Sequence, residues 1–348
     1  MGSSHPDGFV VAVLGATGLV GQTMITVLEE RSFPVRKLVA LAASSGDRTI
    51  RFKGQEVPVE QVRRESFAGV DIALFSAGGS TSLMYAPEAA AQGCAVIDNS
   101  SAWRMDPAVP LVVSQVNPSA LPDHNGIIAN PNCSTMQLVP LLKALEDAAG
   151  LRRVVVATYQ SVSGAGGKAV QDLQQQRETL VRGGQPISTQ FPHAVVSSPI
   201  PAIDVFLSDG STKEETKVVL ESRKILGMPS LKIAATAVRV PVERSHSEAV
   251  HVELSQPLTP QEARAAFAAM PGVTVLDDPA GHLYPLAASS VGSDEIFVGR
   301  VRSDQSVEHG IAFWVVSDNV RKGAATNAVQ IAELLVEMDL VHGARHVV

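Results

Sequence analysis

The chain has 348 residues, 35 acidic against 28 basic side chains, a net charge of −7 and 45% hydrophobic residues. This length favours two domains or one elaborated α/β unit, and it buries a core without disulfides or a structural metal. The mild acidity, with no basic block, argues against nucleic acid or an anionic membrane as partner, and no apolar run approaches a membrane span. Two cysteines, Cys94 and Cys133, suit a reducing cytoplasm and are too few for a zinc cluster.

Met1 to Gly8 is small and polar, lacks a signal-peptide core, and is given no role. Phe9 to Leu14 is a continuous apolar run, as expected of a parallel strand buried on both faces. It leads into Gly15-Ala16-Thr17-Gly18-Leu19-Val20-Gly21 and a helical pattern to about Glu30. Strand, glycine turn and helix open a dinucleotide-binding unit, the glycines admitting a pyrophosphate to the helix N-terminus. The spacing is GxxGxxG rather than GxGxxG, and a plain strand-to-helix turn is the alternative. The next strand, Lys37 to Ala42, ends in Ala43-Ser44-Ser45-Gly46 with Arg48 following. The acid that would hold an NAD ribose is missing there, and hydroxyls with a cation favour NADP, Asp47 arguing mildly the other way.

Val70 to Ser76 and Ala95 to Asp98 read as further buried strands, with small polar residues at their carboxyl ends, where open α/β sheets bind ligands. Cys94, beside the second of them, reads as a packed apolar thiol. Arg104 lies just past that edge; it could bind a phosphate, or be an ordinary surface arginine. Asn130-Pro131-Asn132-Cys133-Ser134-Thr135 then precedes an apolar stretch, Met136 to Leu145. Cys133 is thereby placed on a turn at a helix start, where unpaired N–H groups and the helix dipole lower a thiol pKa and make a nucleophile.

Arg153 to Tyr159 reads as a strand, and Gln160 to Gly167 as a glycine-rich turn into a helix. Gln160 either bonds a substrate or caps that turn. Glu214 and Lys217 have the spacing of a solvated i,i+3 pair. Lys232 to Val240 and Glu248 to Ser255 alternate, which suggests a mixed or antiparallel sheet. Arg239 ends a strand face of Ile233, Ala235 and Ala237, where a guanidinium needs an anion, in a salt bridge or a substrate carboxylate. His246, expected in a loop between two strands, is the best base candidate for a thiol nucleophile. Thr259-Pro260-Gln261-Glu262 is a capping box starting a helix to about Met270. Asn319 to Met338 is amphipathic and is expected to return to the first domain. The division expected is 1–131 with 319–348 as the dinucleotide-binding domain and 132–318 as a catalytic and dimerisation domain.

Six segments, in order, resemble the aspartate-semialdehyde dehydrogenase family: Gly15 to Gly21, Asn130 to Thr135, Tyr159 to Gly164, Glu214 to Lys217, Arg239 to Val242 with Ser245-His246-Ser247, and Asp318 to Arg321. The resemblance spans Phe9 to the C-terminal helix. It implies a Rossmann-type dinucleotide-binding domain plus an inserted α+β domain with a mixed sheet, and a cytoplasmic homodimer of no metal requirement. It implies NADPH-dependent conversion of L-aspartyl 4-phosphate to L-aspartate 4-semialdehyde and inorganic phosphate, supplying lysine, threonine and methionine synthesis. Cys133 would form the acyl intermediate, His246 would be the acid/base, and Gln160 would orient the acyl group. Arg239 and Glu214 would bind the substrate's carboxylate and amino groups, and Arg104 and Lys217 the phosphate. Gly15, Thr17, Gly18, Leu19, Val20, Ser44, Ser45, Ser163, Gly164 and Asn319 would line the NADP site. One stretch departs from the family pattern: Ser197 and Ser198 stand where an asparagine is expected, and Ala202 replaces a larger polar residue. Two rivals are an N-acetyl-glutamyl-phosphate reductase, whose substrate has no free amine for Glu214, and a catalytically silent binding subunit, against which the intact Cys133, His246 and Arg239 speak.

Overall fold

The computed structural model describes residues 7–44 and 46–341; Ser45, one of the expected cofactor residues, lies outside them. It divides into two compact units, one running to Pro131 and resuming at Ala324, the other Asn132–Gly323. Residues 319–323, expected with the dinucleotide-binding domain, belong to the second unit. Among the described residues no helix is long and apolar enough to cross a membrane.

The first unit opens with β1 (Phe9–Leu14), α1 (Leu19–Glu30) and β2 (Val35–Ala42). A hairpin, β3 (Thr49–Phe52) and β4 (Gln55–Gln61), follows, then β5 (Ile72–Phe75), α2 (Gly79–Ala91), β6 (Ala95–Asp98) and β7 (Ile127–Ala129). The sheet order is β3-β4-β2-β1-β5-β6-β7. Every pairing is parallel except β3 with β4, so the sheet is Rossmann-type with an antiparallel edge. The hairpin carries no apolar run that would announce it: β4 is mostly exposed, with only Val59 buried.

The second unit begins with α3 (Cys133–Ala149) and β8 (Leu151–Gln160). There follow α4 (Gly167–Val181), α5 (Lys213–Leu226), β9 (Lys232–Arg239), β10 (His246–Leu254) and α6 (Pro260–Ala269). The unit closes with β11 (Val273–Val275), the short α7 (Ala287–Ser290), β12 (Ile296–Asp304) and β13 (Gly310–Ser317). Its sheet runs β11-β12-β13-β10-β8-β9 and is mixed: β8 with β9 and β11 with β12 are parallel, and the rest are antiparallel. Helices α3 and α6 cover one face, where Leu138, Leu141, Leu142 and Phe267 meet Val154, Val156, Val250, Val252 and Phe313. The other face carries Tyr159 against Trp314, ring centroids 5.3 Å apart, with Leu286 exposed beside Trp314.

The C-terminal segment is not one helix from Asn319. Residues Arg321–Thr326 form a π-helical stretch, and the regular helix α8 is Asn327–Glu337. Ala328, Val329, Ile331, Ala332 and Leu335 are buried in the core of the first unit with α1. Each larger side chain of that stripe stabilises by about 1.5–3 kcal/mol.

Candidate active site

At the carboxyl end of β1 the backbone turns through Gly15, at φ +91°, and a Cβ there would lie 2.4 Å from the Ser76 carbonyl oxygen. A Cβ on Gly21 would lie 2.2 Å from the Gly15 oxygen, so only glycine lets α1 start this close to the strand. The N-cap of α1 is Gly18 and makes no side-chain cap, which leaves helix N–H groups to a ligand. Arg48 hydrogen-bonds the Ser44 carbonyl and its guanidinium lies 3.3 Å from the Ser44 hydroxyl and 3.5 Å from that of Thr17. A cation among hydroxyls, with no acid at the end of β2, fits a dinucleotide carrying a 2′-phosphate. Further along the same unit, Arg104 is buried rather than a surface arginine: its Nε donates to the Asn130 carbonyl at 2.9 Å and Nη2 to that of Asn99 at 2.7 Å.

Cys133 is the first residue of α3 and is partly exposed. Asn132 caps the helix, its Oδ1 accepting from the N–H groups of Ser134 and Thr135 at 2.9 and 3.4 Å. The cap leaves the sulfur at the positive end of the dipole, which favours a thiolate. The other thiol, Cys94, is fully buried, and burial with nearby Asp71 pushes it far up from its usual value.

Helix α5 lays Glu214, Lys217 and Glu221 along one face beside this cap. Thr212 and Glu215 form its capping box, which fixes where the face begins. Glu214 is buried, not a solvated partner: its Oε1 accepts from Asn132 Nδ2 at 2.8 Å and Gln160 Nε2 at 3.1 Å, and its Oε2 from Lys217 at 3.0 Å. Burial alone would raise its carboxyl; Lys217 and the two amides outweigh that and hold it below the usual range. Lys217 also donates to Asp204 at 2.8 Å. Burial opposes its charge, but Glu214 and Asp204 raise it above the usual lysine value. Gln160 Nε2 donates as well to the Ser134 hydroxyl at 2.7 Å, so it ties β8 to the first turn of α3 instead of capping its own turn.

His246 is not in a loop; it is the first residue of β10, paired with Ser317 of β13, and fully buried. Its Nδ1 accepts from the Ser161 N–H at 3.1 Å, with the Ser161 hydroxyl at the same distance. That bond places the proton of the neutral ring on Nε2, which has no hydrogen-bond partner among the described residues. Burial first, then the nearby Arg239, pushes the imidazole down to about 3 against the pull of Glu214 and the Ser245 backbone, so the ring is neutral near pH 7. Arg239 is 5% exposed, donates from Nη1 to the Ser161 carbonyl at 2.6 Å, and lies over the Phe191 ring at 5.6 Å. Among the described residues it makes no ion pair; Glu214 and the Cys133 sulfur act on it only electrostatically, and burial lowers its proton affinity below the usual arginine value. A Cβ on Gly164 would sit 3.0 Å from Arg239 Nη1 and 3.1 Å from His246 Nε2, so the absent side chain keeps both groups clear.

The second unit therefore brings Cys133, Gln160, Glu214, Lys217, Arg239 and His246 together. Ser163 and Asn319, expected at the cofactor, join them: Asn319 Oδ1 accepts from the Ser161 and Ser163 hydroxyls at 3.2 and 3.1 Å and from the Ser245 N–H at 2.9 Å. Thr17, Leu19, Val20 and Ser44 stand at the glycine cradle of the first unit. Sequence reasoning passed over Asn132, Ser161, Asp204 and Glu221. Asn132 and Ser161 adjoin residues it did select, which was the available signal. Asp204 and Glu221 are brought in only by the course of the chain.

A family model described as the semialdehyde dehydrogenase NAD binding domain matches residues 10–124, and its dimerisation-domain counterpart matches 142–322. The aspartate-semialdehyde dehydrogenase of Aquifex aeolicus is 52% identical over 339 residues, covering 96% of this chain and 100% of the relative. This chain belongs to the aspartate-semialdehyde dehydrogenase family. The aspartate-semialdehyde dehydrogenase of Bacillus subtilis is 47% identical, with 96% and 99% of the two chains covered. The crystal structure of aspartate semialdehyde dehydrogenase II from Vibrio cholerae superposes with a TM-score of 0.92 at 47% identity, over 95% of this chain and 99% of that one. A structure of the same Vibrio enzyme complexed with ASA matches equally well, at TM-score 0.92 and 46% identity. As an aspartate-semialdehyde dehydrogenase family member the chain is an oxidoreductase with a nicotinamide-dinucleotide domain, and the mixed sheet is that of the dimerisation domain.

Proposed function

We propose that the chain interconverts L-aspartyl 4-phosphate and L-aspartate 4-semialdehyde with NADP(H) and inorganic phosphate, through a thioester on Cys133. The observation that carries this reading is a buried guanidinium, Arg239, with no carboxylate partner among the described residues, held by Ser161 beside a buried neutral imidazole and electrostatically coupled to a thiol at a helix N-terminus. A buried guanidinium in that condition calls for an anion, and a planar fork suits a carboxylate.

In the biosynthetic direction the Cys133 thiolate forms a bond to the acyl carbon, the carbon–oxygen bond to phosphate breaks, and phosphate leaves with that electron pair. Arg104 and Lys217 are the cations assigned to that phosphate. Arg239 holds the α-carboxylate, and the second oxygen of Glu214 has an acceptor position left for the ammonium. Gln160, fixed by Ser134 and Glu214, positions the acyl group. Gly15 to Val20 with Ser44 and Arg48 would hold NADPH, which would supply the hydride when bound. His246 presents Nε2–H to the oxygen of the resulting tetrahedral adduct on sulfur. Collapse of that adduct reforms the carbonyl, breaks the carbon–sulfur bond and returns the thiolate. In reverse, His246 supports thiolate attack on the aldehyde, the adduct gives up its hydride to bound NADP and becomes the thioester, and phosphate attacks that thioester, breaking the carbon–sulfur bond and returning the thiolate.

Dimerisation through the partly open sheet face and action in the cytoplasm, where thiols stay reduced, belong to the same reading. The test is NADPH formation from aspartate semialdehyde with and without inorganic phosphate, beside N-acetylglutamate semialdehyde. Turnover should require phosphate and the free amine, and Cys133→Ala should lose it while NADPH still binds. Equal turnover of both aldehydes, or phosphate-dependent reduction by Cys133→Ala, would overturn the assignment.

A further inference from the structure

Glu221 takes no part in the reaction just described, yet it is 1% exposed and its Oε2 accepts the Asn132 N–H at 2.7 Å. Every polar atom of Asn132 is held: its N–H by Glu221, Nδ2 by Glu214 at 2.8 Å, Oδ1 by the N–H groups of Ser134 and Thr135, and its carbonyl by the Met136 N–H at 2.8 Å. Asn132 directly precedes Cys133, so any tilt of its peptide displaces the sulfur. We propose that Glu221 is a positioning residue that sets both the placement of Cys133 and the ease with which its thiol ionises. This rests on the reading of Cys133 as nucleophile.

The electrostatic half follows from the surroundings of the sulfur. The dipole of α3 and Arg239 of β9 favour the thiolate. Lys217 of α5 shares the face that holds Glu214, and the buried Lys322 adjoins Gly323, where an added Cβ would stand 2.9 Å from that of Cys133. His246 of β10 is neutral, and Glu214 shares its charge with Lys217. Glu221, on the same face of α5, adds a negative charge one residue from the thiol. A sulfur stabilised too strongly as thiolate is a poorer nucleophile, because nucleophilicity falls with pKa. A carboxylate at position 221 moderates the cations, whereas an amide there would keep the hydrogen bond and lose the moderation.

The experiment uses the full chain. Alkylation of Cys133 by iodoacetamide is followed against pH and located by peptide mass mapping, with buried Cys94 as internal control; kcat, KM and Tm are measured alongside. Glu221→Gln should fold and shift the alkylation midpoint down by about half a unit to one unit. Glu221→Ala should lower kcat about tenfold or more with KM for NADP unchanged, as expected of a displaced reacting atom. If Glu221→Ala fails to fold, the midpoint of Glu221→Gln decides alone. A midpoint within about 0.2 units of wild type in Glu221→Gln, or a loss of Tm with kcat unchanged in Glu221→Ala, overturns the proposal. Alkylation needs no substrate. A shifted midpoint in a chain that does not turn over aspartate semialdehyde would sink the proposed function and leave this inference standing.

Discussion

Arg239 and His246 share one neighbour, Ser161, which offers its carbonyl to the guanidinium and its N–H to the imidazole. Backbone groups cannot be altered by side-chain replacement, so the two functional residues keep their relation through most substitutions nearby. The guanidinium itself is replaceable. Arg239→Lys retains a charge but not a planar fork, and a compact ammonium is costlier to bury. We expect kcat/KM for aspartate semialdehyde to fall about 100-fold, equivalent to about 3 kcal/mol, with NADP affinity unchanged. Activity within a few-fold of wild type would remove Arg239 from carboxylate binding. The positions of Cys133, Gln160 and Arg239 were legible in the sequence, because each stands at the end of a strand or the start of an apolar helix; His246 was picked out as a residue type but expected in a loop, whereas it begins β10. Their charge states were not. That Glu214 is buried and shared among Asn132, Gln160 and Lys217, and that His246 is neutral, follows from burial contributed by distant segments.

At the level of elements, α3 couples the reactive turn to the sheet beneath it. Its N-terminal turn holds Cys133, and Gln137, one turn on, accepts from the Ser317 hydroxyl at 2.7 Å. Beside Gln137 lies Glu248 of β10, fully buried, with no well-aligned hydrogen bond to either carboxyl oxygen among the described residues and the Gln137 amide its near polar neighbour. Burial pushes its carboxyl up from 4.5 to about 8, Gln137 opposing. The unfolded chain releases this proton near 4.5 and the folded chain holds it to about 8, so the fold binds more protons across that window. Stability contributed by this group therefore declines as pH rises through the window and is level above it. Glu248→Gln should abolish that slope. Its Tm should match wild type near pH 4 and exceed it near pH 8, by a stability gap of up to about 4 kcal/mol. A variant less stable than wild type at pH 8 would show that the carboxyl group is required there. Elements of strong apolar pattern, β1, α1, β6 and β8, were readable within a residue or two, and α3 was read at its start but runs four residues past the apolar stretch, to Ala149. The β3–β4 hairpin, β12 and β13 were not singled out, and the π-helical turns before α8 were read as regular helix. Period and composition do not distinguish a half-exposed edge, or a shift from α to π hydrogen bonding, from ordinary loop and helix.

For the molecule as a whole, among the described residues the face of the second sheet opposite α3 and α6 is partly open, with the short α7 against β13. Tyr159 and Trp314 pack on it with their rings tilted by 48°, and Leu286 beside Trp314 is 54% exposed. Such a face is expected to pair with a second copy. Sedimentation equilibrium should return twice the mass of one chain, and Leu286→Glu should shift it toward the single-chain mass without altering the far-ultraviolet circular dichroism. A wild-type chain that stays single at micromolar concentration would rule this out. By itself the sequence determined the chemistry on offer: a glycine cradle, a thiol at a helix start, a cation at a strand end and an imidazole near it in the chain, since these depend on local spacing. Only the tertiary structure decided which groups are charged, which are shared, and that Glu221 stands behind the nucleophile. Desolvation and hydrogen-bond partnership depend on what the chain brings back from tens of residues away, which local pattern does not record.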